Sequence, residues 1–144
     1  MGLKMDTNIV IENQIAYKIR GCIYDVYNKL GPGLFEKVYE YALVIELKNK
    51  GLEVKTQVPF DVIYEGINLG MAFRLDILVE DKVIIEVKSV ETLANVHHKQ
   101  LITYLKITGC KLGILVNFNT TELNSNIIRK ANGLATDSTF EAKN

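Results

Sequence analysis

The chain has 144 residues, in which 17 Lys and Arg balance 17 Asp and Glu, with two Cys and 48% hydrophobic residues. A chain of this length buries roughly 70% of its unfolded surface, so it can build a core without disulfides or a structural metal. Zero net charge excludes a polybasic coat for nucleic acid, although a nuclease can work from a neutral surface with a bound metal and a local basic rim.

Cys22 and Cys110 are far apart and lie in apolar stretches, so they read as reduced core thiols rather than a secreted disulfide framework. The opening segment has no apolar run behind a basic start, and Asp6 stands where a myristoylation signal needs Ser or Thr. The longest apolar runs, at 83–85 and 114–116, are far short of a membrane span. The expectation is a cytoplasmic protein with no membrane partner.

In chain order, Ile15, Ile19, Cys22, Ile23, Val26 and Leu30 recur three and four apart, which predicts one helix stopped by Gly31-Pro32-Gly33. A second helix follows, with Phe35, Val38, Tyr39, Ala42 and Ile45 on its expected inner side and Gly51 beyond its end. From Glu53 the texture is that of strands, with Glu65-Gly66 and Gly70 as punctuation. Segments 71–79 and 83–88 then read as an antiparallel pair joined by Glu80-Asp81-Lys82.

A three-residue loop sets Val79 opposite Val83, and this register puts Leu75, Ile77, Val79, Val83, Ile85 and Val87 on one apolar face. Arg74, Asp76, Leu78, Ile84, Glu86 and Lys88 then share the other, with Asp76 across from Glu86 and Arg74 across from Lys88. The segment from Val96 reads as a helix ended by Gly109, and 111–118 as a buried strand, giving a β-α-β crossover. Beyond Thr120 one apolar pair stands at Ile127-Ile128, and 131–144 reads as a frayed tail on a single domain whose core runs from about 15 to 130.

Alternate residues of a strand share a face, so Glu86-Val87-Lys88 aims a carboxylate and an ammonium the same way, and the register adds Asp76. Cross-strand Cβ atoms stand about 5 Å apart, close enough for both carboxylates to bind one hard cation that keeps several waters, as Mg²⁺ does, with Mn²⁺ as a substitute. The plainer alternative is a solvated face on which these acids pair with Arg74 and Lys88 for little gain.

Gly33-Leu-Phe-Glu36-Lys-Val-Tyr39 resembles the signature of the GxxExxY proteins, a branch of the PD-(D/E)XK nuclease superfamily. The resemblance runs from about Ile19 to Phe118 and takes in Arg74-Leu75-Asp76, Glu86-Val87-Lys88 and Gln100-Leu-Ile-Thr-Tyr104. It implies an α/β fold with a restriction-endonuclease-like core, a mixed β-sheet flanked by helices. It also implies that Asp76, Glu86 and Lys88 are the superfamily's D, E and K, that Glu36 is the helical acid and a further metal ligand, and that Gln100 and Tyr104 hold substrate.

Each residue also has a plainer role. Glu36 suits the first turn of any helix, and Tyr39 suits a core with its hydroxyl hydrogen-bonded. Gln100 and Tyr104 could be any i, i+4 pair, and the adjacent His97 and His98 point different ways and cannot share one metal. The resulting expectation is a Mg²⁺-dependent nuclease that cuts DNA, in preference to RNA, by in-line attack of an activated water. The alternative is an inactive nucleic-acid-binding or assembly module on the same fold, and a homodimer is compatible with either.

Overall fold

The computed structural model describes residues 2–133, with side chains described for 11–70 and 73–133. Helices α1 (Gly2–Leu30) and α2 (Glu36–Asn49) precede strands β1 (Val54–Tyr64), β2 (Ile67–Val79) and β3 (Val83–Lys88). Helix α3 (Asn95–Thr108), strand β4 (Leu112–Asn117) and strand β5 (Ile127–Ala131) follow. The sheet order is β1-β2-β3-β4-β5, with β3 and β4 parallel and the other neighbours antiparallel.

The parallel step is the crossover expected from the sequence, and α3 ends at Gly109, whose φ of 77° is left-handed. That conformation costs a glycine little, and its N–H donates to the Leu105 carbonyl at 2.9 Å. Gly113 of β4 lies under the same helix. A Cβ there would come within 2.7 Å of the Leu101 side chain, so the missing methyl lets α3 approach the sheet.

Two apolar layers enclose the sheet. Helices α1 and α2 bury Ile19, Ile23, Leu43 and Leu47 against Ile77, Val79, Val83, Ile85 and Val87. Helix α3 covers a smaller cluster of Leu75, Ile84, Leu101, Tyr104, Leu105 and Leu115. The expected face of β2 and β3 is therefore present with one correction: Leu75 belongs to the α3 side.

Other expectations are also corrected. Helix α2 buries Tyr39, Glu40, Leu43 and Leu47, while Phe35 (84% exposed), Val38 and Ile45 face outward. The apolar residues of α2 form two stripes, and periodicity could not tell which faced the sheet. Gly70 does not end a strand. It lies inside β2 at a φ of 72°, beside a register shift in the β1/β2 pairing between Asp61 and Ile63.

The Ile127-Ile128 pair lies in an edge strand, β5, because Val116 and Leu112 pair with Ile127 and Ala131. The expected frayed tail, 131–144, is corrected at its start, since Ala131 is the last residue of β5 and pairs with Leu112; 134–144 lie outside the described residues. Cys22 is buried and Cys110 half-buried, both as free thiols.

Candidate active site

The β2/β3 ladder pairs Val79 with Val83, Leu78 with Ile84 and Ile77 with Ile85, as the three-residue loop requires. The turn holds Glu80 and Asp81 at positive φ (54° and 53°), and the Lys82 N–H closes it on the Val79 carbonyl at 2.9 Å. One residue beyond Ile77 and Ile85 the strands part. From there β2 stays with β1, pairing Leu75 with Val58 and Arg74 with Pro59, while β3 continues along β4 to the Lys88–Asn117 pair. Arg74 and Lys88 are consequently not cross-strand partners.

Asp76 and Glu86 stand at the mouth of this fork. The Asp76 N–H donates to Glu86 Oε2 at 3.0 Å, and the Val87 N–H donates to Asp76 Oδ2 at 2.9 Å. Two backbone donors released by the parting strands are thus satisfied by carboxylates, which avoids the penalty of burying them unpaired. The other oxygens, Asp76 Oδ1 and Glu86 Oε1, accept no hydrogen bond among the described residues.

Glu86 is only 4% exposed. Burial, then the neighbouring Asp76 charge, pushes its carboxyl up to about 8, against the opposing pull of the Asp76 N–H and Lys88; Glu40 adds a smaller push upward. This acid is held in a place where its anion lacks sufficient positive charge.

Lys88 is half-buried two residues further along β3 and forms no ion pair among the described residues. Gln100 and Tyr104 lie one turn apart on α3. Tyr104 packs in one cluster with Leu75, the residue before Asp76, and burial, then Glu86 and Asp76, raises its phenol.

The structure does not bring Glu36 into this group. Glu36 is the exposed first residue of α2, while Glu40, one turn later, is 3% exposed and is the helical acid that acts on Glu86. Glu40 accepts from Gln57 Nε2 at 3.1 and 3.2 Å to its two oxygens and pairs with Lys37 at 3.4 Å. Gln57 has a φ of 49°, uncommon for a residue with a side chain, so β1 is bent where its amide reaches the acid. Sequence reasoning missed both residues. The signal for Glu40 was its place one turn after Glu36; Gln57 carried none.

Two buried polar residues hold the frame. The Tyr39 hydroxyl donates to the Gly31 carbonyl at 2.6 Å and accepts from the Leu34 N–H at 3.1 Å. Its ring stacks on Phe118 at 4.5 Å. Tyr39 thus ties the Gly-Pro-Gly loop to the core and does not reach a site carboxylate. Asn117 fastens the exit of β3, donating to the Val90 carbonyl at 2.9 Å and accepting from the Val90 N–H at 3.0 Å. His97 accepts from the Ala94 N–H at 3.0 Å at the start of α3, a capping role.

Among the described residues no group of three or more His, Cys, Asp and Glu is arranged to hold a metal. The fork offers two carboxylate oxygens, a donor set that fits a hard divalent cation retaining most of its waters.

A model of the PD-(D/E)XK nuclease superfamily matches residues 13–130, and the chain belongs to that superfamily. Its α/β fold is the corresponding restriction-endonuclease-like core. Nucleases of this superfamily typically use divalent metal ions. No curated protein matches the chain. Among solved structures, that of SSO0001 is similar, with 26% identity and a TM-score of 0.49 over 76% of this chain; the match spans 59% of that protein's length. No helix among the described residues is long and apolar enough to cross a membrane.

Proposed function

We propose that this chain is a Mg²⁺-dependent nuclease of the GxxExxY branch that hydrolyses phosphodiester bonds of DNA in the cytoplasm as a single domain. The observation that carries the reading is the β2/β3 fork, where Asp76 and Glu86 each retain an oxygen without a hydrogen bond among the described residues, and Glu86 lies two residues from Lys88 along β3. A divalent cation bound there would neutralise both acids, polarise a phosphoryl oxygen and acidify a water.

This chain's residues do the rest. Asp76 and Glu86 would hold the ion, each carboxylate being anchored by a backbone N–H. Lys88 supplies a compact ammonium to orient the attacking water and offset charge that develops on the phosphate. Glu40 supplies the helical carboxylate, tethered by Gln57, at the place expected of Glu36. Gln100 and Tyr104 steady the strand being cut.

The test is cleavage of single-stranded, duplex, flap and RNA substrates in Mg²⁺ and in Mn²⁺, against a metal-free control. Lys88→Ala should keep Mn²⁺ affinity and lose most cleavage, because its loss falls on the transition state. Lys88→Arg should rescue poorly, since a planar guanidinium does not replace a compact ammonium. Asp76→Asn and Glu86→Gln should abolish Mn²⁺ binding by calorimetry. A pure wild-type protein that binds Mn²⁺ but cuts nothing would leave the inactive nucleic-acid-binding module as the function.

A further inference from the structure

Beside the fork, the β1/β2 pair carries an aromatic group with no role in holding a metal. Phe60 and Phe73 are cross-strand partners with ring centroids 5.7 Å apart in a stacked arrangement. Tyr104 meets Phe60 edge-on at 5.1 Å and lies 6.3 Å from Phe73. The three rings form one continuous surface that begins at the Tyr104–Gln100 pair and runs outward along the hairpin. Tyr104 is buried and Phe60 half-buried, whereas Phe73 remains 38% exposed although Phe60 already covers part of its ring.

Phe73 precedes Asp76 by three residues of the same strand, a separation of about 10 Å. That is within reach of a base next to a phosphate held at the fork. Leu75, between them, is buried in the same cluster as Tyr104, so the segment that carries Phe73 is fixed relative to the carboxylates.

Charge leaves room for a stacking contact. With 17 cationic and 17 anionic side chains, the chain has no excess of positive charge to draw a duplex by counterion release. A contact that does not rely on net charge therefore adds to what a bound metal and a local basic rim supply. Stacking on an aromatic ring supplies about 1–3 kcal/mol per base and is open only to bases that are not already stacked within a duplex.

We propose that Phe73, backed by Phe60 and Tyr104, is a stacking platform for an unpaired base next to the scissile phosphate, so that this site takes single-stranded segments of nucleic acid. The inference rests on the nuclease reading of the fork and adds to it the substrate form and a specificity-determining residue.

The experiment measures binding of the full chain, carrying Lys88→Ala to prevent turnover, to labelled oligonucleotides in Mn²⁺. The probes are a single strand, the same strand with abasic positions, and its duplex. Phe73→Ala should weaken single-strand binding about tenfold or more, the equivalent of one stacked base, with Mn²⁺ affinity unchanged. Phe73→Leu keeps the apolar contact without a π face and should lose as much, while Phe73→Trp should bind at least as tightly as Phe73.

An abasic position that weakens binding to the Phe73 protein should have no further effect once Phe73 is Ala. The proposal is overturned if Phe73→Ala and Phe73→Leu bind the single strand as well as Phe73 does, or if duplex binding falls in parallel. It is also overturned if no oligonucleotide binds. Failure of the nuclease reading is separate: Mn²⁺ affinity would then survive Asp76→Asn and Glu86→Gln, and Lys88→Ala would not alter cleavage.

Discussion

At its turn end the β2/β3 pair is joined by backbone rungs from Val79–Val83 to Ile77–Ile85, with side chains of Ile77, Val79, Val83 and Ile85 buried against α1 and α2. One residue further on, the strands separate and the carboxylates of Asp76 and Glu86 take up N–H groups of the opposing strand. The first arrangement gains from removing apolar surface from water. The second sets two carboxyl groups close together with one of them buried, so that ionising both costs stability and prepares the place for a cation. The two ends of one hairpin thus divide stability from chemistry.

The largest effect expected from that division lies at the turn end. Ile85 is fully buried in the larger core, so Ile85→Ala should lower unfolding free energy by about 2–5 kcal/mol, read from urea titration. A loss below about 1 kcal/mol would mean that the core is not where the hairpin is held.

The open end should show itself through pH. The Glu86 carboxyl is raised from 4.5 to about 8 in the fold. Between those values the folded chain keeps a proton that the unfolded chain has released, so metal-free stability should fall as pH rises and level off above about pH 8. The change should be on the order of a few kcal/mol. Mn²⁺ should reduce it by compensating the anion, and Glu86→Gln should remove this contribution. A wild-type stability that rises over the same interval would contradict the cost assigned to the open end.

A smaller effect tests the layer over the fork. Gly113→Ala would push a methyl into the buried Leu101 side chain and should cost about 1–3 kcal/mol by thermal or urea unfolding, with Mn²⁺ affinity nearly preserved. The smallest change in stability belongs to Lys88→Ala. With no ion pair to lose among the described residues, it should stay within about 0.5 kcal/mol of the wild type in unfolding experiments. A larger loss would make Lys88 part of the scaffold.

The α/β class, the 79–83 register and the β-α-β crossover were legible in the sequence because each rests on local chemistry: alternation along strands, three- and four-residue spacing along helices, and glycine at helix ends. The convergence of Asp76 and Glu86 on one face followed from the same alternation. It did not reveal that the ladder stops one residue short of them, because the parting of β2 and β3 comes from β2 following β1 and β3 following β4. Nor did sequence alone separate Glu36 from Glu40. Both are glutamates near the start of one helix, and only the seating of Tyr39, Leu43 and Leu47 in the core turns Glu40 inward and leaves Glu36 exposed. Gln57 joins that acid from a bend in a distant strand, and Phe60, Phe73 and Tyr104 meet from three elements. Periodicity records which side of its own element a residue occupies. Packing between elements decides which of those sides meet, because burial of apolar surface depends on every element at once.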